Sequence, residues 1–201
     1  MQKRLVLASK SPRRYELLKR LGLDLDVIPS KIEEDFSRGE SPRAHVIRLA
    51  EAKALDVGEQ YPDRWVIAAD TIVYVDHCVL GKPRDQEETM KMLRRLSGKE
   101  HQVLTGFSVL HFEKGRRDRG VVRTSVKVKK LTRTEIGWYA RTGEPLDKAG
   151  GYAIQGIGSF MIESIRGSYT NVIGLPLCEL IQMLSRLGAL EISERGIKVS
   201  P

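Results

Sequence analysis

The feature that most constrains the fold is a long apolar run, Trp65–Val75, which is interrupted by one carboxylate at Asp70. The run is rich in β-branched residues, which is typical of a central strand covered on both faces. A carboxylate inside such a strand is costly unless it is paired or bound to a cation. Asp70 could also lie at the carboxyl end of the strand, where open α/β sheets place their ligands.

Strand and helix patterns alternate along the rest of the chain. The predicted strands are 5–8, 25–29, 101–112, 120–130 and 159–165, and the predicted helices are 12–20, 42–60, 85–96, 132–141 and 176–187. Asp85 and Thr132 have the residue types of helix N-caps. Strands 101–112 and 120–130 are expected to pair. This order predicts an α/β fold with a mixed, twisted sheet and flanking helices.

A chain of 201 residues fits a single domain, residues 1–201, built as one unit or as two small lobes. Residues 188–201 show no clear pattern and are predicted to form a frayed, flexible tail. The two cysteines, Cys78 and Cys178, have neither metal nor redox spacing and are expected to be buried.

The charge balance favours polyanionic partners. The chain has 34 Lys and Arg residues against 26 Asp and Glu residues, a net charge of +8. Nucleotides, nucleic acid and acidic membranes all qualify, and the charge is too evenly spread to choose between them. The apolar run 5–8 is too short for a signal peptide, and no segment reaches membrane-spanning length. The default expectation is a cytoplasmic protein with no membrane partner.

The segment Ser9-Lys10-Ser11-Pro12-Arg13-Arg14 joins the first predicted strand to the first helix. The free N–H groups and the positive dipole end of a helix N-terminus favour anions. Hydroxyl and guanidinium donors add to this, so Ser9, Arg13 and Arg14 are candidate phosphate ligands. An ordinary Ser-Pro helix cap followed by two solvated arginines explains these residues equally well.

Asp70 has two candidate roles. It could be a ligand of Mg²⁺ or Mn²⁺, or it could accept the proton of an attacking water. Pairing with a buried arginine or capping a turn is the structural alternative. Function is favoured because the flanking residues do not resemble a surface loop.

Other candidates are weaker when each is taken alone. Lys53 lies on the apolar face of its helix, where it could reach a buried phosphate or extend past the core edge to water. Lys82, in Gly81-Lys82-Pro83, is a second phosphate candidate or a plain turn lysine. In the acidic loop 33–35, Glu33 is the candidate metal ligand. Gln155, in a glycine-rich stretch, could read a base edge.

Several motifs of known chemistry are absent from the sequence. There is no Walker A lysine motif and no dinucleotide-binding GxGxxG after a strand. The four histidines show no metal spacing, and no Ser-His-Asp or Cys-His order is apparent.

Taken together, several segments resemble the Maf family in the family's own order. They are Leu7–Arg14 (LASKSPRR), Ala69–Val73 (ADTIV), Gly81–Pro83 (GKP), Leu96–Gly98 with Val103–Gly106, Glu144–Gly156, Gly167–Tyr169 and Gly174–Pro176. The likeness covers roughly residues 4 to 187. A series of long motifs in order is far more specific than any one of them.

The resemblance implies that a nucleoside triphosphate is hydrolysed to the monophosphate and pyrophosphate with a divalent metal. It implies a role in nucleotide-pool house-cleaning and a link to septum formation and cell division. The implied fold is ITPase-like, with two lobes around a nucleotide cleft. Asp70 matches the family's catalytic proton acceptor, and Arg13, Thr71 and Gln155 match positions linked to substrate choice.

The same resemblance points to a subfamily. Asp70-Thr71 is similar to the members that act on dTTP and UTP, whereas the group that prefers methylated GTP has Asp-Gln there. The chain departs from the family pattern at Gly151, where many relatives have alanine, and in its tail beyond Leu187. Neither departure touches the chemistry.

The resulting hypothesis places the triphosphate along the 9–14 loop, with Lys53 and Lys82 neutralising its oxygens. One metal ion, held by Asp70 and Glu33, activates a water, and Asp70 takes the proton as the water attacks the α-phosphorus.

Two alternatives stay open. The first is the same reaction on 7-methyl-GTP or modified pyrimidine nucleotides. The second is a nucleic-acid-binding regulator without turnover, which is disfavoured because the sequence has no recognised nucleic-acid motif. A homodimer is a further open expectation.

Overall fold

The structure is a computed structural model that describes residues 5–194 and 196–200. The strands are β1 Leu5–Leu7, β2 Leu25–Val27, β3 Trp65–Val75, β4 Cys78–Leu80, β5 Glu100–His111, β6 Arg116–Val128, β7 Ile162–Arg166, β8 Leu190–Ser193 and β9 Gly196–Val199. The α-helices are α1 Pro12–Lys19, α2 Pro42–Gly58, α3 Gln86–Leu96, α4 Arg133–Arg141, α5 Tyr169–Ile173 and α6 Leu177–Arg186. Three short 3₁₀ helices cover Glu144–Asp147, Ala149–Gly151 and Ile157–Met161.

Among the described residues, seven strands form one mixed sheet in the order β2-β1-β3-β5-β6-β7, and β4 pairs with β3 off this path. β1 runs parallel to both β2 and β3. β4 is antiparallel to β3, and β7 is antiparallel to β6. The apolar run 65–75 is therefore an internal strand, as its composition predicts, and the α/β fold with a mixed sheet is confirmed.

The chain divides into two compact units, and β3, β5 and β6 each contribute residues to both. The first unit is Met1–Asp70, Thr105–Val122 and Gly174–Pro201, and the second is Thr71–Leu104 and Arg123–Ile173.

The first unit has a core between β1, β3 and α2. Val6 and Val66 are fully buried there and pack with Val57 of α2. β5 passes very close to the same helix at Gly106, where an added Cβ would lie 2.1 Å from the carbonyl oxygen of Val46. Only glycine fits this approach, because the obstruction is helix backbone.

The second unit has its own core, in which α3 and α4 cover the sheet. Leu96 of α3, Val126 of β6 and Tyr139 of α4 are fully buried in it. The predicted caps hold these helices in place. The Asp85 carboxylate accepts from the N–H of Glu88 at 2.8 Å, and Thr132 forms a reciprocal capping box with Glu135.

Several local expectations differ from the structure. The predicted strand 120–130 begins earlier, at Arg116, and ends at Val128. From Leu190 onward the predicted frayed tail instead contains the hairpin β8–β9; positions 195 and 201 lie outside the described residues, and flexibility of the tail stays a prediction. The predicted strand 159–165 begins only at Ile162, after a 3₁₀ turn. Cys178 is exposed and Cys78 half-buried, so the prediction that both are buried is wrong.

Candidate active site

The first part of the site is the turn between β1 and α1. The Ser11 hydroxyl caps α1 by accepting from the N–H of Arg14 at 3.5 Å, and Pro12 opens the helix. Ser9 is buried, and its hydroxyl accepts from the N–H of Ser11 at 3.2 Å. The turn thus has the helix N-terminus and the hydroxyl groups that the sequence predicts for an anion site. Arg13 is half-buried on the first turn of α1.

Arg14 is directed into the protein. Its Nε donates to the carbonyl of Gly174 at 2.7 Å, and its Nη1 donates to the carbonyl of Ala69 at 2.7 Å and to Ser9 Oγ at 3.1 Å. Burial lowers the pKa of Arg14, and the charge of Asp70 partly opposes that effect. These bonds join the Ser9 turn to the residue that precedes Asp70. Direct phosphate binding by Arg14 stays a prediction.

The first unit contains a buried contact between Lys53 and Asp70. Asp70 is 5% exposed and Lys53 is 6% exposed, and Lys53 Nζ lies 2.7 Å from Asp70 Oδ1. The same ammonium lies 2.5 Å from a carboxylate oxygen of Glu34, whose side chain is half exposed. A buried carboxylate needs such a partner, and the apolar face of α2 delivers it. Lys53 therefore does not extend past the core edge to water.

The acidic loop contributes Glu34 to this cluster, whereas the sequence prediction selected Glu33. Glu33 is exposed, and its role as a metal ligand stays a prediction. Within residues 5–194 and 196–200, no group of three or more His, Cys, Asp or Glu residues could hold a metal ion. Asp70 and Glu34 still fit Mg²⁺ or Mn²⁺, because such ions commonly take one or two carboxylates together with substrate phosphates.

The remaining predicted site residues belong to the second unit. Thr71 is half-buried in β3, directly after Asp70 in the chain, and Lys82 is exposed in the segment that follows β4. Gln155 is half-buried between two of the 3₁₀ helices. In the first unit Arg14 thus contacts Ser9, Lys53 contacts Asp70, and the Arg14–Ala69 hydrogen bond connects the two contacts. The second unit holds Thr71, Lys82 and Gln155.

Sequence reasoning missed a network that shapes the Gln155 segment. The Glu144 carboxylate accepts from the N–H groups of Ile157 and Gly158 at 3.0 and 2.8 Å. It also accepts from the Tyr139 hydroxyl at 2.7 Å, and that hydroxyl accepts from the N–H of Ala153 at 3.0 Å. Burial raises the pKa of Tyr139, with Glu144 adding to the shift. The only sequence signal was a glutamate that opens a glycine-rich stretch.

A mixed α/β sheet with a serine turn at a helix N-terminus and a buried carboxylate–ammonium pair defines a class of protein suited to phosphate chemistry. The family model described as "Maf-like protein" matches residues 4–187, and the chain belongs to this family.

Two relatives of known name, each about half identical to this chain, support the assignment. A dTTP/UTP pyrophosphatase of Syntrophus aciditrophicus is 50% identical over 96% of this chain and 94% of its own length. Another of that name, from Syntrophotalea carbinolica, is 49% identical over 94% of this chain and 86% of its own length. A solved HAM1 protein of Coxiella burnetii has a TM-score of 0.45 and 18% identity, and the match covers 66% of this chain and 76% of that one.

The membrane expectation has one structural test. No helix in the described part of the chain is long and apolar enough to cross a membrane.

Proposed function

We propose that the protein hydrolyses dTTP and UTP to the monophosphate and pyrophosphate. The observation that carries the proposal is the buried Lys53–Asp70 pair, which Arg14 links to the serine turn through Ala69. Relatives that share about half of the sequence are named dTTP/UTP pyrophosphatases, which supports this choice of substrates.

Several residues of this chain would bind the triphosphate. The Ser9 turn offers hydroxyl groups and a helix N-terminus, and Arg13 adds a cation on the first turn of α1. Lys53 and Lys82 supply further positive charge for the phosphate oxygens. Arg14 would act mainly by holding the turn against Ala69, because its described hydrogen bonds are made within the protein.

Asp70 would accept the proton of the attacking water, since its carboxylate is the buried one of the cluster. Asp70 together with Glu34, or with the predicted Glu33, would hold a divalent metal. When bound, such a metal neutralises phosphate charge and makes a water more acidic. Lys53 balances the charge of both carboxylates before the substrate arrives.

Thr71, Gln155 and Arg13 would select the base. This assignment rests on the positions that they share with the family motifs. The same chemistry on 7-methyl-GTP or modified pyrimidine nucleotides would need a different fit at these side chains. We further propose a cytoplasmic location and a house-cleaning role, with the links to septum formation and to a homodimer as secondary expectations.

The test is pyrophosphate release from dTTP, UTP, CTP and 7-methyl-GTP, each with Mg²⁺ or Mn²⁺. We expect release from dTTP and UTP, and loss of at least about 1,000-fold in kcat for Asp70→Asn with the fold intact. Asp76→Asn is the matched control, because Asp76 pairs with Lys99 in an exposed contact. No release from any nucleotide, together with salt-dependent DNA binding, would favour the regulator instead. Near-normal turnover by Asp70→Asn would sink the assignment of the proton acceptor.

A further inference from the structure

Glu34 lies in a connection that has no helix or strand to hold it. Residues 28–41 link β2 to α2 and contain only turns and irregular backbone. Most of their side chains are exposed. A catalytic carboxylate on such a segment needs contacts that fix its position, since irregular surface loops are otherwise mobile.

A cluster at the start of α2 supplies these contacts, and we call Glu40, His45 and Arg48 the clasp. Arg48 Nε and Nη2 donate to the two oxygens of Glu40 at 2.7 and 2.8 Å. His45 Nδ1 lies 3.0 Å from Glu40 Oε2, and the N–H of Ser37 donates to the same oxygen at 3.2 Å. A forked arginine–carboxylate pair is both strong and geometrically specific.

The clasp reaches the two residues that follow Glu34. Arg48 Nη2 donates to the carbonyl of Asp35 at 2.9 Å. The ring of Phe36 stacks on His45 with a centroid distance of 3.4 Å and an interplanar angle of 4°. Glu34 in turn meets Lys53, which lies five residues after Arg48 on the same helix. Lys53 lies on α2, and the residues after Glu34 are bound to α2 through the clasp. Both partners of the Glu34–Lys53 contact are therefore positioned by the same helix.

The carboxylate and the imidazole of the clasp are largely buried, whereas the Arg48 side chain is 41% exposed. The Glu40 side chain is only 8% exposed and His45 is 2% exposed. The hydrogen bonds from Arg48 lower the pKa of Glu40 to about 2, and Glu40 raises the pKa of Arg48. Asp70 adds a smaller upward effect on the pKa of Arg48, so the clasp lies within electrostatic reach of the Lys53–Asp70 pair.

From this geometry we infer that Arg48 and Glu40 are positioning residues for nucleotide hydrolysis, because they hold the Glu34 segment against Lys53 and Asp70. The inference rests on the proposed function of the Asp70 site. The clasp acts through Glu34 and does not touch the substrate.

A double-mutant cycle tests this coupling. Arg48→Met should lower kcat/KM by roughly 10- to 100-fold, because misplacement of a catalytic group by about 1 Å has effects of this size. Added to Glu34→Gln, the same change should lower activity by no more than about 2-fold, since the residue to be positioned is already lost. Arg48→Lys should recover part of the activity, and Glu40→Gln should resemble Arg48→Met. Glu51→Gln is the matched control, because it breaks an exposed ion pair between α2 and Arg119 and should have no effect.

A second readout does not depend on turnover. Trypsin should cut Arg48→Met after Lys31 and Arg38 at least about 10-fold faster than the parent or Glu51→Gln. Any of three results would overturn the inference: fully multiplicative effects in the double-mutant cycle, normal activity of Arg48→Met, or unchanged trypsin cleavage of that variant. Should the parent protein release pyrophosphate from no nucleotide, the proposed function fails instead, and the cleavage rates still report whether the clasp holds the segment.

Discussion

Replacement of Lys53 by methionine isolates the charge of the buried pair, because methionine keeps much of the alkyl stem and removes the ammonium. In the native protein that ammonium lies 2.7 Å from Asp70 and 2.5 Å from Glu34. The variant therefore leaves one buried and one half-exposed carboxylate without their common partner.

The size of the effect follows from the burial of each carboxylate. Loss of one partner from a buried ion pair costs about 3–5 kcal/mol. Glu34 is half exposed and can turn to water, so it adds little. Arg14 and Arg48 remain within electrostatic reach of Asp70 and reduce the penalty. We therefore expect the lower end, about 3 kcal/mol, which corresponds to a fall in Tm of roughly 6–12 °C for a chain of this size.

Urea denaturation at neutral pH, together with calorimetry, measures the loss of stability. Lys99→Met is the matched control, because Lys99 pairs with Asp76 in an exposed contact and its loss should change stability by less than about 0.5 kcal/mol. The variant Lys53→Met/Asp70→Asn should be more stable than Lys53→Met alone, because it no longer buries an unpaired charge. A Lys53→Met protein as stable as the control, or a double variant with additive losses, would refute this account of the site.

Two further predictions concern a buried histidine and a glycine that packs against α2. Burial lowers the pKa of His101 from 6.5 to about 4. As the pH drops through that interval, the unfolded chain takes up a proton before the native one, so the free energy of unfolding should fall by about 3 kcal/mol. His101→Gln should remove most of this decline when urea titrations are repeated across the pH range. If the free energies of unfolding of the parent and the variant fell in parallel with pH, the prediction would be wrong. Gly106→Ala should lower the free energy of unfolding by about 2–3 kcal/mol, because its Cβ meets the backbone of Val46. Gly137→Ala, which on α4 meets only the end of Arg141 at 3.4 Å, should be neutral or stabilising by up to about 1 kcal/mol, and equal effects of the two changes would contradict the packing argument.

Much of the fold could be predicted because its signals are local. The apolar run 65–75 gives β3 its observed bounds, and Asp85 and Thr132 cap their helices as expected. The short strands β4, β8 and β9 were not predicted, because they carry little hydrophobic pattern. β4 follows a tight turn in which Asp76 and His77 both have positive φ, 47° and 59°, without the glycine that normally signals such turns. In β8, Ile192 is 63% exposed, so no buried face marks the strand.

The site was predictable in its residue types but not in its contacts. The apolar surroundings of Asp70 and Lys53 indicate burial, yet only the fold shows that the two side chains meet. The choice between Glu33 and Glu34 depends on backbone direction in an irregular loop, which has no periodicity to reveal it. The hydrogen bonds of Arg14 to the carbonyls of Ala69 and Gly174 could not be predicted, because both acceptors are distant in sequence.

The two buried cations of the site differ in how readily each can turn to a substrate. Arg14 donates to the backbone carbonyls of two buried residues, and release of these bonds would give up charge-assisted hydrogen bonds made inside the protein. Lys53 instead shares its charge between two carboxylates, and Glu34 is exposed enough to be rehydrated once the ammonium leaves it. Lys53 can therefore exchange its contact with Glu34 for a phosphate oxygen at little cost in free energy, while it stays paired with Asp70. On this reasoning we expect Lys53, rather than Arg14, to be the buried cation that contacts the triphosphate, while Arg14 keeps the Ser9 turn in place.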